Sequence, residues 1–385
     1  MTPITTTEAL RAFCDGLRNQ PFITVDTEFM RETTYWPKLC LIQAASPTDA
    51  AIIDPLAEGL DLGPFLDSLR DESILKVFHA ARQDVEIFVK LGAMPKPMFD
   101  TQVAAMAAGF GDQVSYEALV RQVVRQEVDK GSRFTDWSRR PLSDAQLNYA
   151  LADVVYLAQL YPRLRDRLEK EGRLIWVAEE MAALTNPALY DTDPDIAWKR
   201  LKPRRFTAKY LAAFKATAAW RERTAQERDQ PRSRILKDDA IDEIATQVPL
   251  DADAFNRLRS VPKGFATSKY GPDLIAALKE AIRDPEAYAP RLEKPAQQAQ
   301  APGAVIELLK VLLKARSEDA KVAPKLIATV ADLEQIALDD NADVEALQGW
   351  RRKVFGEDAL KLKRGELALV LEGTRVRVVE LEPED

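Results

Sequence analysis

The chain has only two cysteines and one histidine among its 385 residues. Cys14 and Cys40 cannot build a disulfide framework or a Cys-rich zinc centre, and a reducing cytosol is the expected compartment. His79 stands alone, which excludes a paired-histidine metal helix within one chain. Long apolar runs are missing as well. Residues 103–110 form about the longest and are mostly alanine. A membrane helix needs roughly 20 apolar residues, so no span is expected. The first residues lack the basic start and apolar stretch of a secretory leader. An excess of positive charge is also absent: 54 Lys and Arg face 61 Asp and Glu, a net charge of −7. That excludes a simple polybasic nucleic-acid binder. It leaves room for a basic face inside an acidic whole, because net charge averages over domains.

What is present is the composition of a folded chain, 46% hydrophobic and 30% charged. At roughly 150 residues per domain, the length predicts two or three domains. The first block, to about residue 180, reads as α/β. Short β-rich runs at 22–25, 39–45 and 50–53 lie close together and predict an antiparallel meander. A helix over 60–69, a strand over 74–78 and a helix over 80–91 follow, with further helices over 101–108, 116–124 and 143–168. Residues 185–203 carry Pro187, Pro194 and Pro203 among Asp191, Asp193 and Asp195, the texture of a domain boundary. Two strand-poor blocks come next, joined by a Gln/Ala/Pro linker over 290–302. The expected domains are 1–190, mixed α/β, then 199–289 and 303–373, both helical.

Three places carry unusual carboxylates. Asp26 and Glu28 stand two apart at the end of a predicted strand, so period two places both on one face. A lone Asp-x-Glu is most often a solvated strand face. Here the preceding Phe22-Ile23-Thr24-Val25 is apolar on both parities, which predicts a central strand covered on both sides. Carboxylates at its tip then need a compensating charge. Tyr149 and Asp153 are spaced i, i+4 on a predicted helix whose two sides are both largely apolar, so an isolated charge there is costly. The ordinary alternative is a surface Asp paired with Arg163 or Arg165. Asp84 lies early in a predicted helix, where the helix dipole alone favours an acid. The nearby His79 reads as a hydrogen-bonded packing residue.

These residues carry a resemblance. Asp26-Thr27-Glu28-Phe29, His79-Ala80-Ala81-Arg82-Gln83-Asp84 and Tyr149-Ala150-Leu151-Ala152-Asp153 resemble the three exonuclease motifs of the DEDD superfamily. The Tyr-x-x-x-Asp form of the third marks the tyrosine branch. The flanks Tyr35-Trp36-Pro37-Lys38-Leu39-Cys40-Leu41-Ile42-Gln43 and Thr135-Asp136-Trp137-Ser138-Arg139-Arg140-Pro141-Leu142 make the chain similar to the ribonuclease D family over nearly its whole length. The resemblance implies a ribonuclease H-like DEDD domain, a mixed sheet flanked by helices, followed by two all-α HRDC-like domains. It also implies a metal-dependent 3′→5′ exoribonuclease that trims 3′ extensions of tRNA precursors and releases nucleoside 5′-monophosphates.

Four carboxylates without Cys or multiple His favour hard, oxygen-loving cations, Mg²⁺ or Mn²⁺. By resemblance the site holds two ions, with Asp26 bridging both. Glu28 and Asp153 complete the ion that activates water, and Asp84 serves the ion on the leaving-group side. Tyr149 orients the water, since an ordinary phenol with a pKa of about 10 is a poor base. Candidate substrate contacts are Phe29, stacking on a base, Gln83 at the 3′ end, and Lys130 and Trp137 on phosphate or base.

Residues 199–237 hold 13 Lys or Arg against three Asp or Glu, net +10, interleaved with Phe206, Tyr210, Phe214 and Trp220. Charge of this sign attracts phosphate, and aromatics can stack on unpaired bases. The spacing of Tyr210, Phe214 and Ala218 equally suits a helix core. The third block is acidic and is expected to pack against the catalytic domain or shape the channel. RNA is the expected partner, without membrane, for a monomer. The alternatives are a DNA 3′→5′ exonuclease of the same superfamily and a non-catalytic nucleic-acid-binding module.

Overall fold

The apolar run that begins at Phe22 opens strand β1, Phe22–Met30, and its first four residues are buried on both faces. The computed structural model describes residues 2–129, 131–132, 135–292 and 301–381. Before β1 comes α1, Thr7–Leu17, N-capped by Thr6. After it come β2, Lys38–Ala45, β3, Ala50–Ile53, β4, Leu75–Phe78, and β5, Met98–Asp100. They form one sheet in the order β3-β2-β1-β4-β5, so β1 is central, as its double-sided apolar pattern predicts. β2 pairs antiparallel with β3, Ile42 opposite Ile53. β1 and β4 are parallel, Thr24 opposite Val77, and β4 and β5 are parallel, Val77 opposite Phe99. The sequence gives no strand signal at β5, because a three-residue run beside Pro95 and Pro97 is too short to display a period.

Helices α2, Gly63–Arg70, α3, Arg82–Lys90, and α4, Thr101–Ala107, flank the sheet strands in sequence. α2 begins three residues later than its apolar pattern suggests, with Pro64 in its first turn. α3 begins at Arg82 because Ala80 takes a left-handed conformation, φ 60°, which ends the extended chain abruptly after β4. The predicted helix over 116–124 is one α-turn, Tyr116–Leu119, continuing into a wider π-turn, Val120–Val124. Helix α5, Asp144–Lys170, starts with a capping box: Ser143 Oγ accepts from Gln146 N at 3.3 Å and Ser143 N donates to Gln146 Oε1 at 3.0 Å. Leu147, Val154, Leu157, Leu160 and Leu164 are buried along it. α6, Leu174–Leu184, follows.

The chain divides into two compact units. One comprises Met1–Glu28, Cys40–Leu189 and Gln297–Asp385; the other comprises Phe29–Leu39 and Tyr190–Ala296. In the second unit, α7, Ala208–Glu227, packs with α8, Asp238–Gln247, and α9, Gly271–Arg283. Tyr210, Phe214 and Trp220 are at most 4% exposed and belong to this core, which leaves them no open face for a base. Tyr35 lies in the same core. Its hydroxyl donates to Glu222, a carboxylate 1% exposed that also receives Arg232 Nε at 2.5 Å and Arg200 at 3.1 Å.

The third block belongs to the first unit. It contains α10, Gly303–Ala320, and a hairpin of β6, Leu367–Glu372, and β7, Arg375–Glu380. Helical character had been expected to continue to about residue 372. Instead the apolar run Leu367–Leu371 and the alternating Arg375-Val376-Arg377-Val378, joined by a two-residue turn whose Gly373 has φ 63°, make a hairpin. Arg173 fastens this block to the exonuclease helices, donating to Ala107 O at 2.8 Å, Ala320 O at 2.7 Å and Lys321 O at 3.0 Å. Gly109 permits the approach: with φ 79°, a Cβ there would fall 2.5 Å from Lys321 O. Further along, Trp176 and Trp350 stack with centroids 4.1 Å apart, and Arg351 reaches both Glu179 and Glu180. No helix among the described residues is long and apolar enough to cross a membrane.

Candidate active site

Strand period and helix period bring the carboxylates together from distant parts of the chain. Asp26 and Glu28 share one face of β1, and Asp153 faces them from α5. Carboxylate oxygens of all three lie within 4.8 Å of one another, a grouping able to hold a metal ion. The strand–helix pairing is fixed next door, where Thr24 Oγ1 donates to Val154 O at 2.9 Å. Arg163 and Arg165, the ordinary partners for a surface Asp153, are engaged elsewhere: Arg163 with Val123 O at 2.6 Å and Arg165 with Glu169 at 3.6 Å.

Asp84 sits in the first turn of α3, 6% exposed, and the Thr27 hydroxyl donates to its carboxylate. It lies outside the group of three, yet the charge of Asp26 acts on it. Burial, reinforced by that charge, pushes the Asp84 carboxyl well above the ordinary range. Burial likewise pushes Asp26 up to about 6. Crowded, buried carboxylates are the electrostatic condition that a bound cation relieves.

The supporting contacts are long-range. Asp100, 3% exposed, accepts Ala80 N at 3.0 Å and Ala81 N at 2.8 Å, which holds the turn that presents Asp84. The Thr101 hydroxyl donates to Phe78 O at 2.9 Å and so accepts from His79 Nδ1 at 3.1 Å. His79 is thus a hydrogen-bonded packing residue, its ring edge-on to Tyr116 at 5.4 Å. Tyr116 donates to Asp153 O at 2.5 Å and Ala152 O at 3.2 Å. Nothing in the local sequence marks Tyr116 or Asp100, because their partners lie tens of residues away.

A cleft of about 370 Å³ opens here, lined by Asp26, Tyr149 and Asp153 together with His79, Gln102 and Tyr116. Gln83 is exposed beside Asp84. Phe29 follows Glu28 on β1, half-buried, and strand alternation turns it to the face opposite Asp26 and Glu28. Trp137 is 2% exposed and packs on Tyr149, centroids 6.0 Å apart, so it presents no open face to a nucleotide. Lys130 lies outside the described residues.

A carboxylate cluster at the tip of a central strand, with a tyrosine one helical turn before the last acid, is the arrangement expected of a 3′→5′ exonuclease of the DEDD type. A family model described as 3′-5′ exonuclease matches residues 1–169, and an HRDC domain model matches 211–278. The chain is 53% identical to ribonuclease D of Nitrobacter hamburgensis, covering 99% of this chain and 100% of that one, and 51% identical to ribonuclease D of Granulibacter bethesdensis, covering 98% and 96%. The crystal structure of Escherichia coli RNase D, described as an exoribonuclease involved in structured RNA processing, superposes with a TM-score of 0.80 at 29% identity, over 95% of this chain and 99% of that one. The chain belongs to the ribonuclease D family, and its activity is that of a 3′→5′ exoribonuclease.

Proposed function

We propose that this exoribonuclease trims the 3′ extensions of tRNA precursors in the cytoplasm, as a monomer, using two divalent cations, Mg²⁺ or Mn²⁺, and releasing nucleoside 5′-monophosphates. The observation that carries the reading is the approach of Asp26, Glu28 and Asp153 to within 4.8 Å, with Asp84 tied to the same strand through Thr27. An all-oxygen donor set, half-buried at Asp26 and Glu28 and buried at Asp153, fits hard cations and suits soft ones poorly. Asp26, Glu28, Asp84 and Asp153 would hold them. When bound, such cations lower the pKa of an attacking water and neutralise charge at the departing 3′-oxygen. Tyr149 lines the same cleft and orients that water through its hydroxyl. Gln83 is assigned to the terminal nucleotide and Lys130 to phosphate; Phe29, turned to the other face of β1, is given no part in the site. Trp137 is assigned to packing behind Tyr149.

The processing of structured RNA by the Escherichia coli enzyme supports a folded RNA as the substrate here. The exposed Lys199, Lys202, Arg205 and Lys209 offer phosphate contacts in the HRDC-bearing unit. Arg204, Arg221 and Arg223 contribute less, since they pair with Asp242, Asp238 and Asp195. The test is digestion of a 5′-labelled tRNA precursor carrying a short 3′ tail, with Mg²⁺, Mn²⁺ or chelator. Asp26→Ala and Asp153→Ala run alongside. Stepwise 3′ shortening that needs the cation and both carboxylates is expected. Equal trimming with chelator, or by either variant, would remove the metal assignment. Activity on unstructured RNA alone would remove the tRNA assignment. Light scattering decides the oligomeric state.

A further inference from the structure

We propose that Trp137, pinned by the Asp54–Arg140 ion pair, is a positioning residue that sets the direction of the Tyr149 hydroxyl. The inference rests on the reading that Tyr149 orients the attacking water. Tyr149 projects from the second turn of α5 into the cleft that Asp26 and Asp153 line. A phenol at the wall of a cleft turns about its side-chain bonds unless something fills the space beside it. The indole of Trp137 stands there, its plane tilted 36° to the phenol ring.

The segment carrying Trp137 has no regular structure, yet it is held at several points. Arg140 uses all five of its N–H bonds. Nε and Nη2 grip Asp54 at 2.6 Å each, Nη2 also reaches Cys40 O at 2.7 Å, and Nη1 reaches Trp137 O and Arg139 O at 2.8 Å each. Asp54 follows directly on β3, and Cys40 is in β2, so the guanidinium fastens the loop to two strands of the sheet. A second tie runs to α5 itself, where Gln146 Nε2 donates to Thr135 Oγ1 at 3.0 Å. A bidentate carboxylate–guanidinium pair fixes orientation as well as distance, which a lysine in the same place would not do.

Volume alone does not explain the tryptophan. Its indole N–H is buried with no acceptor among the described residues. A buried donor without an acceptor destabilises the fold, and a phenylalanine would not carry that cost. What the indole adds is a wide, rigid face against the phenol. Misplacement of an orienting group by a fraction of an ångström is enough to slow a reaction that depends on alignment.

The test is a double-mutant cycle on the full chain with its cation and a tailed RNA substrate. Trp137→Ala is expected to lower kcat about tenfold, with KM and the cation concentration for half-activity unchanged. In a Tyr149→Phe background the same change should cost less than about twofold, because the hydroxyl it positions is gone. Trp137→Phe should recover part of the loss. Arg140→Lys should reproduce the Trp137→Ala pattern, and it serves as the probe if Trp137→Ala does not fold. Equal losses in both backgrounds, or a loss confined to KM, would overturn the positioning role. Full activity of Tyr149→Phe alone would instead remove the role given to Tyr149, and the proposal with it.

Discussion

The hydroxyl of Tyr116 donates to the backbone carbonyl of Asp153 at 2.5 Å, across 37 residues of chain. The bond lands in the middle of α5, on the residue whose side chain completes the group with Asp26 and Glu28. Tyr116→Phe removes that donor and keeps the ring that packs on His79. A net loss of about 1 kcal/mol in stability is expected from one such hydrogen bond. Activity should fall more than stability does, by about tenfold, if the helix turn bearing Asp153 relaxes. Chemical denaturation and single-turnover rates on the same preparation measure both. A variant as active as the parent would show that the bond is structural only.

Without cation, the carboxylate cluster makes stability depend on pH in a particular direction. The Asp26 carboxyl lies at about 6 when folded against 3.8 when unfolded, and Asp84 is raised as well. The folded chain therefore binds protons more tightly. The contribution is fully present below about pH 4 and is lost as pH rises through about 6. One pKa unit is about 1.4 kcal/mol, so for Asp26 the full loss is on the order of 3 kcal/mol. Urea titrations with chelator at pH 5 and pH 8 should show it, and Mg²⁺ should restore stability at pH 8. Asp26→Asn should flatten the dependence. A slope unchanged by that substitution would assign the effect to other groups.

The third block is held to the exonuclease helices by a buried guanidinium. Arg351 is 7% exposed and reaches Leu326 O at 3.0 Å, Glu179 at 3.1 Å and Glu180. Burial raises the Glu180 carboxyl, and Arg351 opposes that shift. Arg351→Ala leaves Glu180 partly buried without this partner, at a cost of about 3 kcal/mol. Denaturation followed by tryptophan fluorescence is informative here because Trp176 and Trp350 stack beside the pair. A cost below about 0.5 kcal/mol would mean that Arg173 and the stacked indoles hold the block without this pair.

In the second unit, Glu222 is the central charge. Burial alone would raise its carboxyl, but Arg232, Tyr35 and Arg200 together hold it below the ordinary value. Its contribution is therefore present above about pH 4.5 and is lost as pH falls below it. Glu222→Ala should destabilise this unit by about 2 kcal/mol through the lost charge-assisted hydrogen bonds, because water can reach the part-exposed Arg232 and Arg200. Glu222→Gln should cost less. Hydrogen exchange confined to 190–292 separates this from any change elsewhere, and equal protection in both variants would contradict it.

The sequence by itself determined the family and pointed, through its resemblance to the exonuclease motifs, to a candidate site. Spacing, two on a strand and four on a helix, showed which face Asp26, Glu28, Tyr149 and Asp153 occupy; the resemblance to the three exonuclease motifs, not spacing, singled out the set and added Asp84. The central strand was legible from residues 22–25, apolar on both parities. The burial of Tyr210 and Phe214 was legible from their helical period, though the same aromatics also suited base stacking. Tertiary structure alone decided what depends on contacts across the chain. It brought Asp153 of α5 against Asp26 and Glu28, the grouping that the resemblance had implied. It buried Trp137 behind Tyr149, where sequence had offered it to the substrate. It gave Tyr116 and Asp100 their partners and turned 367–380 into a hairpin. It also built Phe29–Leu39 into the helical unit and the third block into the catalytic one. The physical reason is the range of the interaction. Periodicity records which face a residue occupies, whereas burial and hydrogen-bond partners depend on which distant face comes to meet it.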